Sequence, residues 1–198
     1  MPCSPDEEYC EHLRDGTAVL IRPIRPGDKA KLVEGLERLS PESRYRRFLR
    51  PISSLTEREL QYLTEIDYAD HFAWGALAVD EPGQPGLGIA RYVRDPKDPE
   101  VAEAAVAVVD AAQGKGLGTL LLRRLIGTAR AHGIRVFRAW ALAENRTVIE
   151  GLKALGAHLH RDDALIRIDL DLPETFEGSP LAAALRAAAG GMPLEPGR

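Results

Sequence analysis

Apolar residues change their spacing repeatedly along this chain, and each change marks an element. Ala18 to Ile24 is a near-continuous apolar, β-branched run that predicts a strand, and Pro26-Gly27-Asp28 breaks it. Asp28 is a candidate N-cap for a helix whose apolar positions Leu32, Val33, Leu36 and Leu39 recur at helical spacing. Ser40-Pro41 opens a second helix, a cap followed by proline in the first turn. Thr56-Glu57-Arg58-Glu59 is a capping box for a third, running to about Ile66. Phe72 to Val79, Leu87 to Val93 and Val101 to Val109 then read as strands, the first two joined by the turn-rich segment 80–86. A helix over about Gly116 to His132 carries Leu120, Leu121, Leu125 and Ile126, and Gly133 stops it. Val136 to Ala143 predicts a strand, Asn145 to Leu155 a helix ended by Gly156, and Ala164 to Leu170 a last strand with Arg167, Asp169 and Asp171 on its polar face.

A strand, a group of helices, an antiparallel meander and alternating strands and helices predict an α/β (α+β) layered fold. Residues 1–16 read as a frayed or loosely docked lead-in and 17–172 as the domain. Residues 173–198 read as an Ala, Gly and Pro-rich tail with a short helix at Leu181 to Ala189. No internal repeat is present. At 198 residues, 44% hydrophobic and 28% charged, the chain suits one domain with a full core. The net charge of −4 argues against a nucleic-acid partner and mildly for a cationic one. Cys3 and Cys10 make no disulfide framework and are expected free and reduced. No apolar run reaches membrane-span length, and the N-terminus has acids where a signal peptide needs bases, so no membrane association and a cytoplasmic location are expected. The oligomeric state stays open, with a homodimer compatible.

The segment Gln113-Gly114-Lys115-Gly116-Leu117-Gly118 joins an apolar strand to a helix. Glycines there expose backbone N–H groups beside the positive end of the helix dipole, a geometry that holds a diphosphate. A Walker loop requires Ser or Thr after Gly-Lys, and a dinucleotide fingerprint requires a third glycine where Leu121 stands, so both are excluded. A tight turn without a ligand is the alternative. Upstream, Glu103 is the one acid in the stretch Val101 to Val109. A carboxylate there either ends a strand in water or belongs to a site.

The pattern at 113–118 is Q/R-x-x-G-x-G/A, and it resembles the acetyl-CoA signature of the GNAT N-acetyltransferase superfamily. The resemblance implies a mostly antiparallel central sheet flanked by helices, with a splayed strand pair at the coenzyme A site. It implies that Gln113, Gly114, Lys115, Gly116, Leu117, Gly118 and Thr119 hold the diphosphate of acetyl-CoA, and that Val106, Ala107 and Val108 contact pantetheine and the thioester carbonyl through their backbones. Asn145 and the terminating Leu155-Gly156-Ala157 resemble the family's second motif, in which the Asn reaches coenzyme A; the residue reading of Asn145 is a plain N-cap. Many relatives place a tyrosine, acid for the leaving thiolate, where this chain has Leu152. Tyr45-Arg46-Arg47-Phe48, the run from Tyr62 to Phe72, Val101-Ala102-Glu103 and Asp110 to Gly118 are similar to the acetyltransferase domain of bacterial Pat-type protein lysine acetyltransferases, over roughly 18–172. That likeness implies that Glu103 is the general base and a protein lysine the acceptor. Pat proteins usually carry a cyclic-nucleotide-binding or acyl-CoA-synthetase-like regulatory domain. This chain leaves no room for one, so such regulation is not expected.

Asp67, Tyr68, Asp70 and His71 read either as helix termination with Asx-type bonding or as a cleft rim where Asp70 or His71 meets a cationic amine. Arg44, Arg46, Arg47 and Arg50 form either a solvated helix face or an anion-binding run. Trp74 is expected in the core. His158 and His160 alternate in a strand without a third ligand, so no metal is expected. Asp162 and Asp163 add negative potential before the last strand. Together these features predict an N-acetyltransferase working by direct transfer. The alternatives are an enzyme acting on a small polycation, such as an aminoglycoside or polyamine, and a non-catalytic acyl-CoA-binding module.

Overall fold

The computed structural model describes residues 6–174 and Leu181. Its strands are β1 (Tyr9–His12), β2 (Ala18–Pro23), β3 (His71–Ala78), β4 (Gly86–Arg94), β5 (Val101–Val108), β6 (Val136–Leu142), β7 (His158–Asp162) and β8 (Leu165–Asp171). Its helices are α1 (Lys29–Glu37), α2 (Pro41–Phe48), α3 (Glu57–Thr64), α4 (Leu117–Ala131) and α5 (Arg146–Ala154). Among the described residues the strands form one sheet in the order β1-β2-β3-β4-β5-β6-β8-β7, antiparallel except where β5 meets β6. The expected layered fold is present.

Two start signals act as their sequences imply. The Ser40 side chain accepts from the Ser43 N–H, with Pro41 beginning α2. Thr56 and Glu59 exchange reciprocal bonds at the start of α3, at 3.2 and 2.8 Å. Asp28 departs from its expected role. Its carboxylate caps no α1 amide; it accepts from the Arg25 N–H and from both terminal nitrogens of Arg22. A buried arginine on β2 requires a counter-charge more than the helix requires a cap.

The sheet has two unlike faces. Alternate residues Phe72, Trp74, Ala90, Tyr92, Ala102 and Ala104 pack against Leu117, Leu121, Leu125 and Ile126 of α4 in the main core. Trp74 lies there as expected, its indole N–H donating to the Thr128 hydroxyl at 3.0 Å. The other face of β3, β4 and β5 lies beneath α1, α2 and α3, with a cavity between.

The lead-in is not loose over 9–12. β1 pairs with β2 from Tyr9–Ile21 to His12–Ala18. Tyr9 packs on Trp74 with ring centroids 5.8 Å apart, and the Arg124 guanidinium lies 3.6 Å from the Tyr9 ring centre. Aromatic and apolar positions at Tyr9 and Leu13 supply the burial that a polar composition concealed. Cys10 is a free, exposed thiol; Cys3 and the expected helix at 181–189, apart from Leu181, fall outside the described residues. Leu181 itself packs into the core. No helix among the described residues is long and apolar enough to cross a membrane.

Candidate active site

β5 and β6 part company within the sheet. They pair in parallel only at Val101–Val136, Ala102–Phe137 and Glu103–Arg138. β5 remains paired with β4 from Ala102 to Val108. From Ala104 onward, therefore, the β6-facing edge of β5 presents backbone groups with no strand partner. Such an edge is a template for an extended ligand with amide groups of its own. Val106 and Val108 turn their side chains toward α4, and Ala107 lines the opposite cavity, so along the edge itself these three residues present backbone.

The wedge opens toward the loop at 113–118. Gly114 and Gly116 have φ of 73° and 90°, a left-handed conformation that side chains resist. Gly116 is the N-cap of α4 and offers no side chain, so no side-chain cap meets the amides of the first turn. Leu117 is buried, which leaves only its backbone to a ligand. Gly118 lies against Val108 and Val106, 3.6 and 3.9 Å from a Cβ built on it, tying the helix start to the open strand. Thr119 follows in the first turn. A 15-residue helix with an uncapped start beside an open strand edge fits an extended anionic ligand.

Two side chains of the loop are used structurally. The Gln113 carboxamide donates to the Val108 carbonyl and the Asp110 carboxylate, each at 3.0 Å. Asp110 also accepts from the Ser40 N–H and the Ser43 hydroxyl, which fastens α2 to the loop. Lys115 Nζ lies 2.8 Å from Asp15, and its carbonyl accepts from the Arg14 N–H. The Lys115 ammonium, and then the hydroxyl and N–H of Thr17, hold the Asp15 carboxyl below the ordinary carboxylate range. Asn145 precedes α5 but its side chain caps no amide, leaving the carboxamide uncommitted to the helix. Leu152 packs on the core.

Glu103 is the last β5 residue paired with β6, so its carboxylate sits where the strands diverge. It is exposed and makes no hydrogen bond or ion pair among the described residues. Its register neighbour Arg138 is engaged with Asp169 at 2.9 Å. Across the sheet, His71, Val93 and Glu103 lie in one row on the face toward α1–α3.

The two acceptor-rim candidates separate. Asp70 binds Arg94 at 2.6 Å, and Arg94 also donates to the His132 carbonyl at the end of α4, so this carboxylate locks a strand end and does not face Glu103. Asp67 makes the Asx-type cap, accepting from the amides of Ala69, Asp70 and His71 at 2.8–2.9 Å. His71 instead faces the cavity side, buried, with its Nε2 2.9 Å from an Arg91 terminal nitrogen. A guanidinium only donates, so Nε2 accepts and the neutral ring carries its proton on Nδ1. Burial and the Arg91 charge push the His71 pKa down to about 4.

The basic run divides similarly. Arg46 pairs with Glu42, Arg50 with Glu59, and Arg44 donates to the Leu39 carbonyl. Arg47 alone turns into the cavity, above Phe48. There it joins Arg91 of β4, which sequence reading passed over. Burial and then Arg47 push the Arg91 guanidinium down to about 9. An arginine between Ile89 and Val93, alternating with them on a helix-covered face, was the visible signal. Tyr62 of α3 lies over His71, its ring centre 4.9 Å from that of the imidazole. Among the described residues no group of three His, Cys, Asp or Glu could hold a metal ion.

A model described as the acetyltransferase (GNAT) family matches residues 37–157. The chain belongs to the GNAT acetyltransferase family. It is 36% identical over 166 residues to acetyltransferase Pat of Mycolicibacterium smegmatis, covering 81% of this chain and 48% of that protein. It is 36% identical over 156 residues to acetyltransferase PA5475 of Pseudomonas aeruginosa, covering 79% and 83%. It thus spans about half the length of the first relative and most of the second. The GNAT domain of S. lividans PAT superposes with a TM-score of 0.75 at 32% identity, over 83% of this chain and 97% of that domain. The splayed β5–β6 pair is the fold feature that the resemblance to this family implied.

Proposed function

We propose that this GNAT protein is an acetyl-CoA-dependent N-acetyltransferase. It passes acetyl directly to a primary amine, with Glu103 as general base and a protein lysine as acceptor. The observation that carries this reading is the divergence of β5 from β6 immediately after an unpaired glutamate. When bound, acetyl-CoA supplies a thioester whose acyl carbon is open to attack. Val106, Ala107 and Val108 would hold the arm along the open edge, and an N–H there would stabilise charge developing on the thioester oxygen. The amides of Gly114 to Thr119 would take the diphosphate, and the Asn145 carboxamide, which caps no helix amide, would serve as a further contact to coenzyme A. The acceptor enters as an ammonium, pKa near 10.4, and must lose a proton before its nitrogen can attack. Glu103, free of partners, takes that proton directly or through water. Cys10 lies on β1 in the edge strand and supplies no nucleophile at this cleft.

The pair Arg47 and Arg91 argues for a lysine over an aminoglycoside or polyamine. A ligand with several cationic centres meets both guanidinium charges, whereas a single side-chain amine need only reach Glu103. Glu103→Gln tests the chemistry: it should bind acetyl-CoA as the wild type does and lose about 10²–10⁴-fold in turnover, measured as thiol release. Near-normal turnover from pH 6 to 9 would remove Glu103 from the mechanism. Parallel assays with denatured protein lysate, aminoglycosides and polyamines identify the acceptor, and binding without thiol release for any amine would leave the non-catalytic reading.

A further inference from the structure

The cavity between α1–α3 and the sheet is partly open to solvent and walled largely by apolar residues, among them Leu32, Leu36, Leu39, Phe48 and Ile89. Arg47 and Arg91 nevertheless line it. Arg22 shows how this fold treats another buried guanidinium: Asp28 accepts from both its terminal nitrogens, at 2.8 and 2.6 Å. Arg91 is buried as deeply, 5% exposed against 7% for Arg22, and has no such partner. Its terminal nitrogens meet two neutral acceptors, His71 Nε2 at 2.9 Å and the Leu63 carbonyl at 3.0 Å. Its Nε meets none. Arg47 likewise forms no ion pair among the described residues, and Glu103 is the acid whose charge it feels. A buried, uncompensated charge is unfavourable, and an arginine has five N–H donors to place, so Arg91 is short of an anion, with half-buried Arg47 beside it adding a second positive charge.

We infer that Arg47 and Arg91 form a carboxylate subsite of the acyl-transfer cleft, filled by a carboxylate carried on one of the two substrates. Position supports this. Arg91 pairs with Ala105 on β5, two residues from Glu103 and on the same face, so a ligand reaching Glu103 is within a few bonds of the guanidinium pair. Planar forks match a carboxylate in two-pronged geometry, and the apolar walls strengthen the interaction. His71 is a positioning residue here: its neutral Nε2 holds one prong of Arg91 without neutralising it. The carboxylate has two sources, the far end of a short dicarboxylic acyl thioester or an acidic side chain flanking the acceptor lysine.

The inference rests on the acyl-transfer reading, and the test separates the two. Wild type and Arg47→Met are assayed for thiol release in two arms, succinyl-CoA against acetyl-CoA as donor and a lysine peptide flanked by glutamates against the same peptide flanked by glutamines as acceptor. These pairs differ by a carboxylate alone or nearly so. In one arm the carboxylate-bearing member should be favoured about 10-fold or more in kcat/KM, the arm naming the source, and Arg47→Met should abolish that ratio. Arg91→Met should do the same if its thermal melt shows it folded; if it does not fold, Arg47→Met decides. Equal kcat/KM within both pairs, or a preference that survives in Arg47→Met, overturns the subsite while leaving the transferase intact. If no pair shows transfer, calorimetric titration of glutarate into the donor-free protein decides: heat lost in Arg47→Met supports the subsite without the transferase, and no heat in wild type overturns it.

Discussion

His71 illustrates how one residue couples the cleft to stability. Its folded pKa of about 4 lies below the ordinary 6.5, so the unfolded chain takes up the proton first. Stability from this group is complete above pH 6.5 and is lost as pH falls from 6.5 toward 4. After discounting for solvent screening, the loss is roughly 1–2 kcal/mol. Melting temperatures followed from pH 7 to 4 should fall less steeply for His71→Gln, whose amide oxygen still accepts from Arg91; parallel curves would show that His71 titrates normally. Trp74 gives a second test. Thr128→Val keeps the shape but strands the buried indole N–H, and should cost about 1–3 kcal/mol in chemical denaturation. The chemistry of these residues follows from their types, but their partners do not. Asp70 and His71 are adjacent in sequence and were read as equal rim candidates, yet strand alternation sends one to Arg94 and the other to Arg91.

At the scale of elements, the site is made by β5 with the start of α4. Gly116 at φ 90° is the hinge of that unit. Gly116→Ala should destabilise by about 1–2 kcal/mol from left-handed strain and weaken acetyl-CoA binding measured by calorimetry. Gly88→Ala acts from the other side of β5. Its Cβ would stand 3.0 Å from the Ala107 carbonyl oxygen and 3.2 Å from Leu121, so β5 or α4 must shift. A stability loss of about 1–3 kcal/mol with a lower acetyl-CoA affinity is expected. Unchanged affinity would mean that the strain is absorbed by α4 alone. These elements were legible in the sequence because their periodicities and caps are local. The end of the β5–β6 pairing was not, because it depends on where two distant strands stop sharing a register.

For the whole molecule, the first strand ties the sheet edge to the glycine loop at 113–118. β1 adds a strand, Leu13 joins the core, Glu11 reaches Arg124 at 2.5 Å, and the following turn holds Lys115 from both its carbonyl and its ammonium. Deleting residues 1–16 should therefore cost about 2–4 kcal/mol and lower the melting temperature by roughly 5–15 °C. It should also weaken acetyl-CoA binding, since the loop loses its brace. A truncated protein that melts and binds like the full chain would restore the lead-in to a passive role. The sequence by itself determined the layered α/β class and the strand-to-helix glycine loop, because local spacing and residue type encode them; it marked Glu103 as the one acid of its strand, and the role of base is what the family resemblance adds. Only the tertiary structure decided that, among the described residues, Glu103 makes no hydrogen bond or ion pair where two strands diverge, that β1 belongs to the sheet, and that Arg47 and Arg91 line one cavity without an ion pair. Those facts depend on contacts between segments far apart in the chain, and on which of two faces each alternating side chain is given.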